Sequence, residues 1–306
     1  MIIGYSDYYA ASPAAIVLSG SQTPAPAFLT SDGGMLMDDA RTGTVTSLTM
    51  TGGTQSISVY TRLAVTLTSV LDAVPYWGVI GIANVQGLPA GTKIVFGGNG
   101  VTPSITQRLA PNDRGELGAW AIGGLTISGA TNWITIYNDV NGSASLPAAS
   151  AIGIGEFFVG KAIYLPSLVE SAIADDLLDI SQYNRSNGQQ LYQLMRKPWR
   201  EMSQTMGRFT VAQGEGKGQS ALPDGSGSVI DLQTLRAQLV VARKCAVCDV
   251  PSQGFAGITT GLTNGFKVDT TMMQASWMVA RMTSAGKLSL DSTTRYTWNP
   301  TFQEAL

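Results

Sequence analysis

The chain contains no histidine, two cysteines and few ionic groups: Lys and Arg number 19, Asp and Glu 21, among 306 residues, for a formal net charge of −2. Each shortage excludes a class of function. Without imidazole, this chain alone builds neither a Ser-His-Asp triad nor a His-ligated zinc site. Two cysteines do not staple a small disulfide scaffold. A balance this close to neutral lacks the broad positive field that phosphate recognition requires, so nucleic acid is not expected as a partner. With 44% hydrophobic residues and little net charge, the chain is also not of the disordered class.

Charged residues make up 13% of the chain, against about 25% in ordinary soluble domains. The exposed surface must therefore consist largely of Thr, Ser, Asn, Gln, Gly and backbone. Two explanations compete: a surface covered by neighbours in an assembly, or a secreted β-rich protein poor in Lys and Glu. The assembly is the preferred one, since a free monomer usually keeps ample charge for solubility. The opening Met1-Ile-Ile-Gly-Tyr-Ser-Asp7 has no basic residue before its apolar stretch, so no signal peptide is expected. Mean hydropathy is +0.12, yet the best charge-free window, Leu117 to Asn138, is broken by Gly123, Gly124, Ser128, Gly129, Thr131 and Asn132. A spanning helix needs about 20 mainly apolar residues, so no membrane insertion is expected.

What is present is β pattern. From Thr44 to Tyr164 the apolar period is near two, with Ile57, Val59, Leu63, Val65 and Leu67 alternating with Ser and Thr. Trp77-Gly-Val-Ile-Gly-Ile-Ala83 is apolar throughout, as in a strand covered on both faces. Lys93-Ile-Val-Phe96 and Trp133-Ile-Thr-Ile-Tyr137 are rich in β-branched and aromatic residues. Turn signals at Leu88-Pro-Ala-Gly91, Pro111-Asn-Asp113 and Asn138-Asp-Val-Asn-Gly142 separate them. The expected fold is mainly β: an antiparallel sandwich over residues 1–165, then a smaller β-rich (α+β) domain over 166–306. Within the second domain, the spacing of Val169, Ile173, Leu177 and Ile180 predicts a helix over Leu168 to Ile180. Residues 212–228, rich in Gly, Ser and Pro, read as an exposed loop that orders against a partner. Ser228 is expected to cap a short helix carrying Ile230, Leu232, Leu235 and Leu239.

Several segments carry a resemblance. The run Trp77 to Phe96 resembles galactose-binding-like jelly rolls, where a buried strand ends in Asn and restarts after a short loop as Gly-Thr-basic-apolar. The series Ile154-Gly-Glu-Phe-Phe-Val-Gly-Lys-Ala162, then Ser181, Arg185-Ser-Asn-Gly-Gln-Gln-Leu-Tyr192 and Arg196-Lys-Pro-Trp-Arg200, is similar to a pattern of tail-tip or baseplate proteins of long-tailed, non-contractile bacteriophages. Tyr296, Trp298, Phe302 and Glu304 close the chain as in those proteins. The resemblance covers most of the chain. It implies a non-enzymatic virion subunit, made in the host cytoplasm and built into the phage tail, whose partners are other tail subunits and copies of itself around the tail axis. A receptor-binding module for host surface polysaccharide is the alternative.

The chemistry-bearing residues divide accordingly. Cys245-Ala-Val-Cys248 has the spacing of half a zinc or iron–sulfur site, but no further Cys or His exists to complete it, and two buried structural thiols are the plainer reading. No cofactor is expected. The pairs Asp38-Asp39 and Asp175-Asp176 suit solvated surface better than a hydrolase cleft. Gly97-Gly-Asn-Gly100 and Gly216-Lys217 lack the rest of a phosphate loop. For a sugar, Trp77 and Trp120 offer ring faces and Asn112, Asp113 and Arg114 a polar loop, while Trp133 and Tyr137 read as core. The basic and aromatic cluster Arg185, Tyr192, Arg196, Lys197, Trp199 and Arg200 has the composition of a subunit interface.

Overall fold

The computed structural model describes residues 1–5, 16–20, 43–49, 57, 60–67, 76–98, 101–112, 115–125, 131–146, 149–165, 174–178, 182–185, 191–194, 199–215, 230–241, 244–248, 277–291 and 295–304. The first strands are β1 (Ile2–Tyr5), β2 (Ile16–Gly20), β3 (Gly43–Thr49), β4 (Tyr60–Leu67), β5 (Tyr76–Gln86), β6 (Thr92–Gly98) and β7 (Val101–Arg108). There follow β8 (Ala110–Pro111), β9 (Leu117–Leu125), β10 (Thr131–Val140), β11 (Ala149–Tyr164), β12 (Ala174–Leu178), β13 (Gln182–Arg185) and β14 (Leu191–Leu194). After β15 (Trp199–Ser203) and β16 (Met206–Thr210) come the helices α1 (Val211–Glu215) and α2 (Leu232–Val241). The chain closes with β17 (Cys245–Cys248), β18 (Trp277–Ser284), β19 (Leu288–Asp291), β20 (Arg295–Trp298) and β21 (Thr301–Glu304).

The protein is mainly β, and its antiparallel sheets curl into a half-barrel. One sheet of 16 strands runs β12-β15-β21-β18-β17-β1-β11-β5-β9-β7-β6-β10-β4-β2, with β3 added on β11 and β8 on β9. Two small sheets, β13-β14 and β16-β20-β19, are not hydrogen-bonded to it, though Met206 and Phe209 of β16 and Trp298 of β20 share its core cluster. The large sheet is continuous across residue 165, because β1 pairs with β11 on one side, Ile3 opposite Ile163, and with β17 on the other, Ile3 opposite Val247.

Burial at this junction explains why the apolar period fails locally. Along β17 all four residues are buried, and along β18 the first four are. Alternation puts Ile3, Tyr5, Cys245, Val247, Met278 and Ala280 in one cluster, which α2 covers with Leu232, Leu235 and Leu239. Their neighbours face the other way, where Trp120 stacks on Trp277 with ring centroids 5.0 Å apart and planes 12° from parallel, and Phe158 tilts against Trp120 at 6.3 Å. Two positions there admit only glycine. A Cβ on Gly4 would stand 2.5 Å from Val79 Cγ1, and one on Gly81 2.0 Å from Trp120 Cε3.

Three expectations for the second half change. Over 168–180, the described residues Ala174–Leu178 form the strand β12, not a helix. Helix propensity is a weak prior, and β15 offers a complete ladder from Ala174↔Ser203 to Leu178↔Trp199. The helix after the loop exists, but Asp231 caps it: its side chain accepts from Thr234 N–H at 2.7 Å. Ser228 lies outside the described residues. Of the expected loop 212–228, residues 212–215 belong to α1, and the remainder lies outside the described residues. By contrast, Val79, Ile80 and Ile82 are all buried, so β5 is covered on both faces as its composition implies.

Gly81→Ala is expected to lower unfolding free energy by about 3 kcal/mol, the upper end of the usual range for overpacking, since the Trp120 ring must leave its stack. Urea denaturation followed by tryptophan fluorescence measures both the loss and the altered native emission.

Candidate functional site

One sheet face outside the core gathers the aromatic and ionic side chains that composition makes scarce. Along β10, Ile134 and Ile136 are buried, as are Ile94 and Phe96 of β6 beside them. That face is the core. The alternate positions Tyr137 and Asp139 therefore belong to the opposite face. Pairing extends this face across four strands: Tyr137 lies opposite Tyr60 of β4, and Lys93 of β6 opposite Arg108 of β7. The result is a row in the order Tyr60, Tyr137, Lys93, Arg108, each partly exposed, with Asp139 behind Arg108.

Contacts within the row fix it. The Tyr60 and Tyr137 rings are 5.4 Å apart between centroids and tilted by 48°. Lys93 Nζ sits 4.7 Å from the Tyr137 centroid, within cation–π range. Arg108 grips Asp139 with both guanidinium ends, Nη1 to Oδ1 at 3.1 Å and Nη2 to Oδ2 at 3.4 Å. Nη1 also donates to Gly91 O at 2.8 Å, and Gly142 N–H donates to Asp139 Oδ1 at 2.7 Å. Both tight turns at this end use left-handed backbone, Gly91 at φ 84° and Asn141–Gly142 at φ 51° and 90°, which is why Gly and Asn occupy them. The Arg108 hydrogen bond holds the Asp139 carboxyl below its ordinary range; burial opposes this, and the Gly142 amide and Lys93 charge add to it. An acid held ionised is no proton donor at neutral pH. The row offers ring faces, one ammonium and a clamped guanidinium, which is the chemistry of binding.

Among the described residues, those singled out from sequence are spread over β5, β9, β13, β14, β15 and β17 and the turn at Asn112. Trp120, in β9, is 3% exposed and stacked in the core, so its face is closed to a sugar. Trp77 lies in β5. Asn112 closes a turn, its Oδ1 accepting from Glu116 N–H at 2.9 Å, while Asp113 and Arg114 lie outside the described residues. Tyr137, expected in the core, is on the outer face, because Ile134 and Ile136 take the inner one.

In the basic cluster, Arg185 ends β13 and Tyr192 lies in β14, opposite Asn184. Trp199 and Arg200 belong to β15 in the large sheet. Arg200 is 5% exposed, so it is a buried residue and not a docking one. Its N–H donates to the buried Glu304 Oε2 at 3.3 Å. Arg196 and Lys197 lie outside the described residues. Cys245 and Cys248 are buried and free of disulfide. Three residues apart in one strand, they lie on opposite faces of the sheet, so the pair does not chelate one metal ion. Among the described residues no group of three or more Cys, Asp and Glu could hold a metal.

Of the row, the i, i+2 spacing of Tyr137 and Asp139 was visible in the sequence, but Tyr60, Lys93 and Arg108 join it only through strand register. Two outcomes follow. Asp139→Asn should cost about 1 kcal/mol at neutral pH, a modest value because Arg108 is part-exposed. A carboxyl with a depressed folded pKa stabilises above its unfolded value near 3.8 and stops doing so as pH falls through the folded value. Urea titrations should therefore show the gap between variant and parent closing in acid. Separately, both thiols should resist a thiol reagent in the native state and react on unfolding, and zinc should leave the melting temperature unchanged.

Comparison with protein-family models, curated proteins and solved structures finds no match to this chain.

Proposed function

We propose that the protein is a non-enzymatic structural subunit of a virion, at the tail tip or baseplate of a long-tailed phage, working through contacts between subunits. The observation that carries this reading is a sheet edge that no described strand covers. The long path ends in β2 at one side and β12 at the other. Edge strands expose a row of backbone donors and acceptors, and monomeric proteins blunt them with charge, proline or bulges. β12 has Asp175 and Asp176. β2 is Ile-Val-Leu-Ser-Gly, with no charge and no proline, and no described strand pairs with its outer side. Such an edge suits a chain that is covered by another.

Composition supports the same reading, since only 13% of residues are charged. So does the resemblance of Ile154 to Ala162, Arg185 to Tyr192 and Arg196 to Arg200 to tail-tip patterns. Partners are then other tail subunits and further copies around the tail axis, where repeated modest contacts gain avidity.

Sedimentation velocity over a concentration series should show self-association. Val17→Lys should weaken it about tenfold or more with an unchanged thermal melt. A chain that stays monomeric at every concentration, and is missing from purified particles by mass spectrometry, would exclude this reading.

A further inference from the structure

We propose that the row Tyr60–Tyr137–Lys93–Arg108 binds an acidic polysaccharide, packing a sugar ring against Tyr60, beside the Tyr137 ring that Lys93 already covers, and holding uronate carboxylates at Lys93 and Arg108. The argument starts from what such a face can recognise. Aromatic rings at a partly wet surface offer apolar faces with a polar rim, and ammonium and guanidinium groups recognise carboxylates. The row spans three inter-strand gaps, about 14 Å at about 4.8 Å each, a length suited to a short stretch of polymer and excessive for one sugar.

Charge decides the class of polymer. Among the described side chains of the row, Lys93 and Arg108 contribute two positive charges and Asp139 removes one, while position 62 of β4, an arginine, falls on the same face by register opposite Thr135. Nucleic acids also stack on aromatic residues, but they bring a phosphate at each nucleotide and need a positive groove along the backbone. An excess of one or two charges over about 14 Å fits a polymer with carboxylates spaced among neutral rings.

Order is built in before any ligand arrives. Asp139 and Gly91 O fix the Arg108 guanidinium, whose side chain remains 41% exposed. The Tyr137 ring holds the Lys93 ammonium. Side chains immobilised in the free protein lose less entropy on binding.

Affinity electrophoresis of the full chain in gels containing hyaluronan, in which uronates alternate with neutral sugars, with dextran gels as the neutral control, tests this. Retardation is expected in the acidic gel alone. Lys93→Gln should weaken it about two- to fivefold, the scale of one exposed ionic contact, and Lys287→Gln, at an exposed position elsewhere, should not change it. Tyr60→Ala should weaken it too, with circular dichroism melts confirming that each variant folds. Unretarded parent protein, equal retardation of Lys93→Gln, or tighter binding to oligothymidylate by fluorescence anisotropy would each overturn the proposal.

Discussion

The structure depends on β1, four residues that are paired on both sides and covered on both faces. Its ladders to β11 and β17 join residues 149–164 to 245–248, and no other described strand supplies that link. Loss of β1 would expose backbone groups on two neighbours at once, in a region where water does not reach them. Its two faces complete two separate clusters. Ile3 and Tyr5 enter the one closed by α2, and Gly4 allows Val79 and Phe158 to close over the other. A side chain at Gly4 would hold the layers apart, so the absence of a Cβ there is as structural as the isoleucines beside it.

The sequence states the fold class clearly, because alternation and turn chemistry are local. Turns at 88–91 and 138–142 fall where Gly, Pro and Asn place them, and the continuous apolar run at 77–83 corresponds to a doubly covered strand. The helix expected over 168–180 shows the limit of local signals. Leu177 fits a helical stripe, but the same residue opposite Arg200 completes a sheet ladder, and ladder partners distant in sequence outweigh a few tenths of a kcal/mol of propensity per residue. The Cys-Ala-Val-Cys spacing was ambiguous for the same reason: on a turn the two thiols converge, and on β17 they diverge.

The functional face was less legible. Tryptophan drew attention as the largest aromatic, yet size is what makes Trp120 useful in the core, where it meets Trp277 from 157 residues further along the chain. The smaller, hydroxyl-bearing Tyr60 and Tyr137 stand at the surface. Their pairing, and the meeting of Lys93 with Arg108, follow from register, which the alternation in each strand constrains only to the correct face. The sequence thus implied which residues of β10 share a side and left open which strands would flank it.

These features also give the low charge a second meaning. A chain with 40 ionisable side chains of fixed sign among 306 residues has few to distribute, and their placement is informative. Within β2 there are none, so a strand that adds to it desolvates no charge, only backbone groups that its own donors and acceptors pair. On the β4-β10-β6-β7 face two cations and a carboxylate lie within one cluster beside two tyrosines. Neutral backbone suits contact with another protein chain, because each donor meets an acceptor. Fixed charge suits a partner that bears the opposite one. The two surfaces are chemically unlike and lie at the same end of the sheet, the row beginning on β4 next to β2, so a subunit held through β2 would present the tyrosine row next to its own interface.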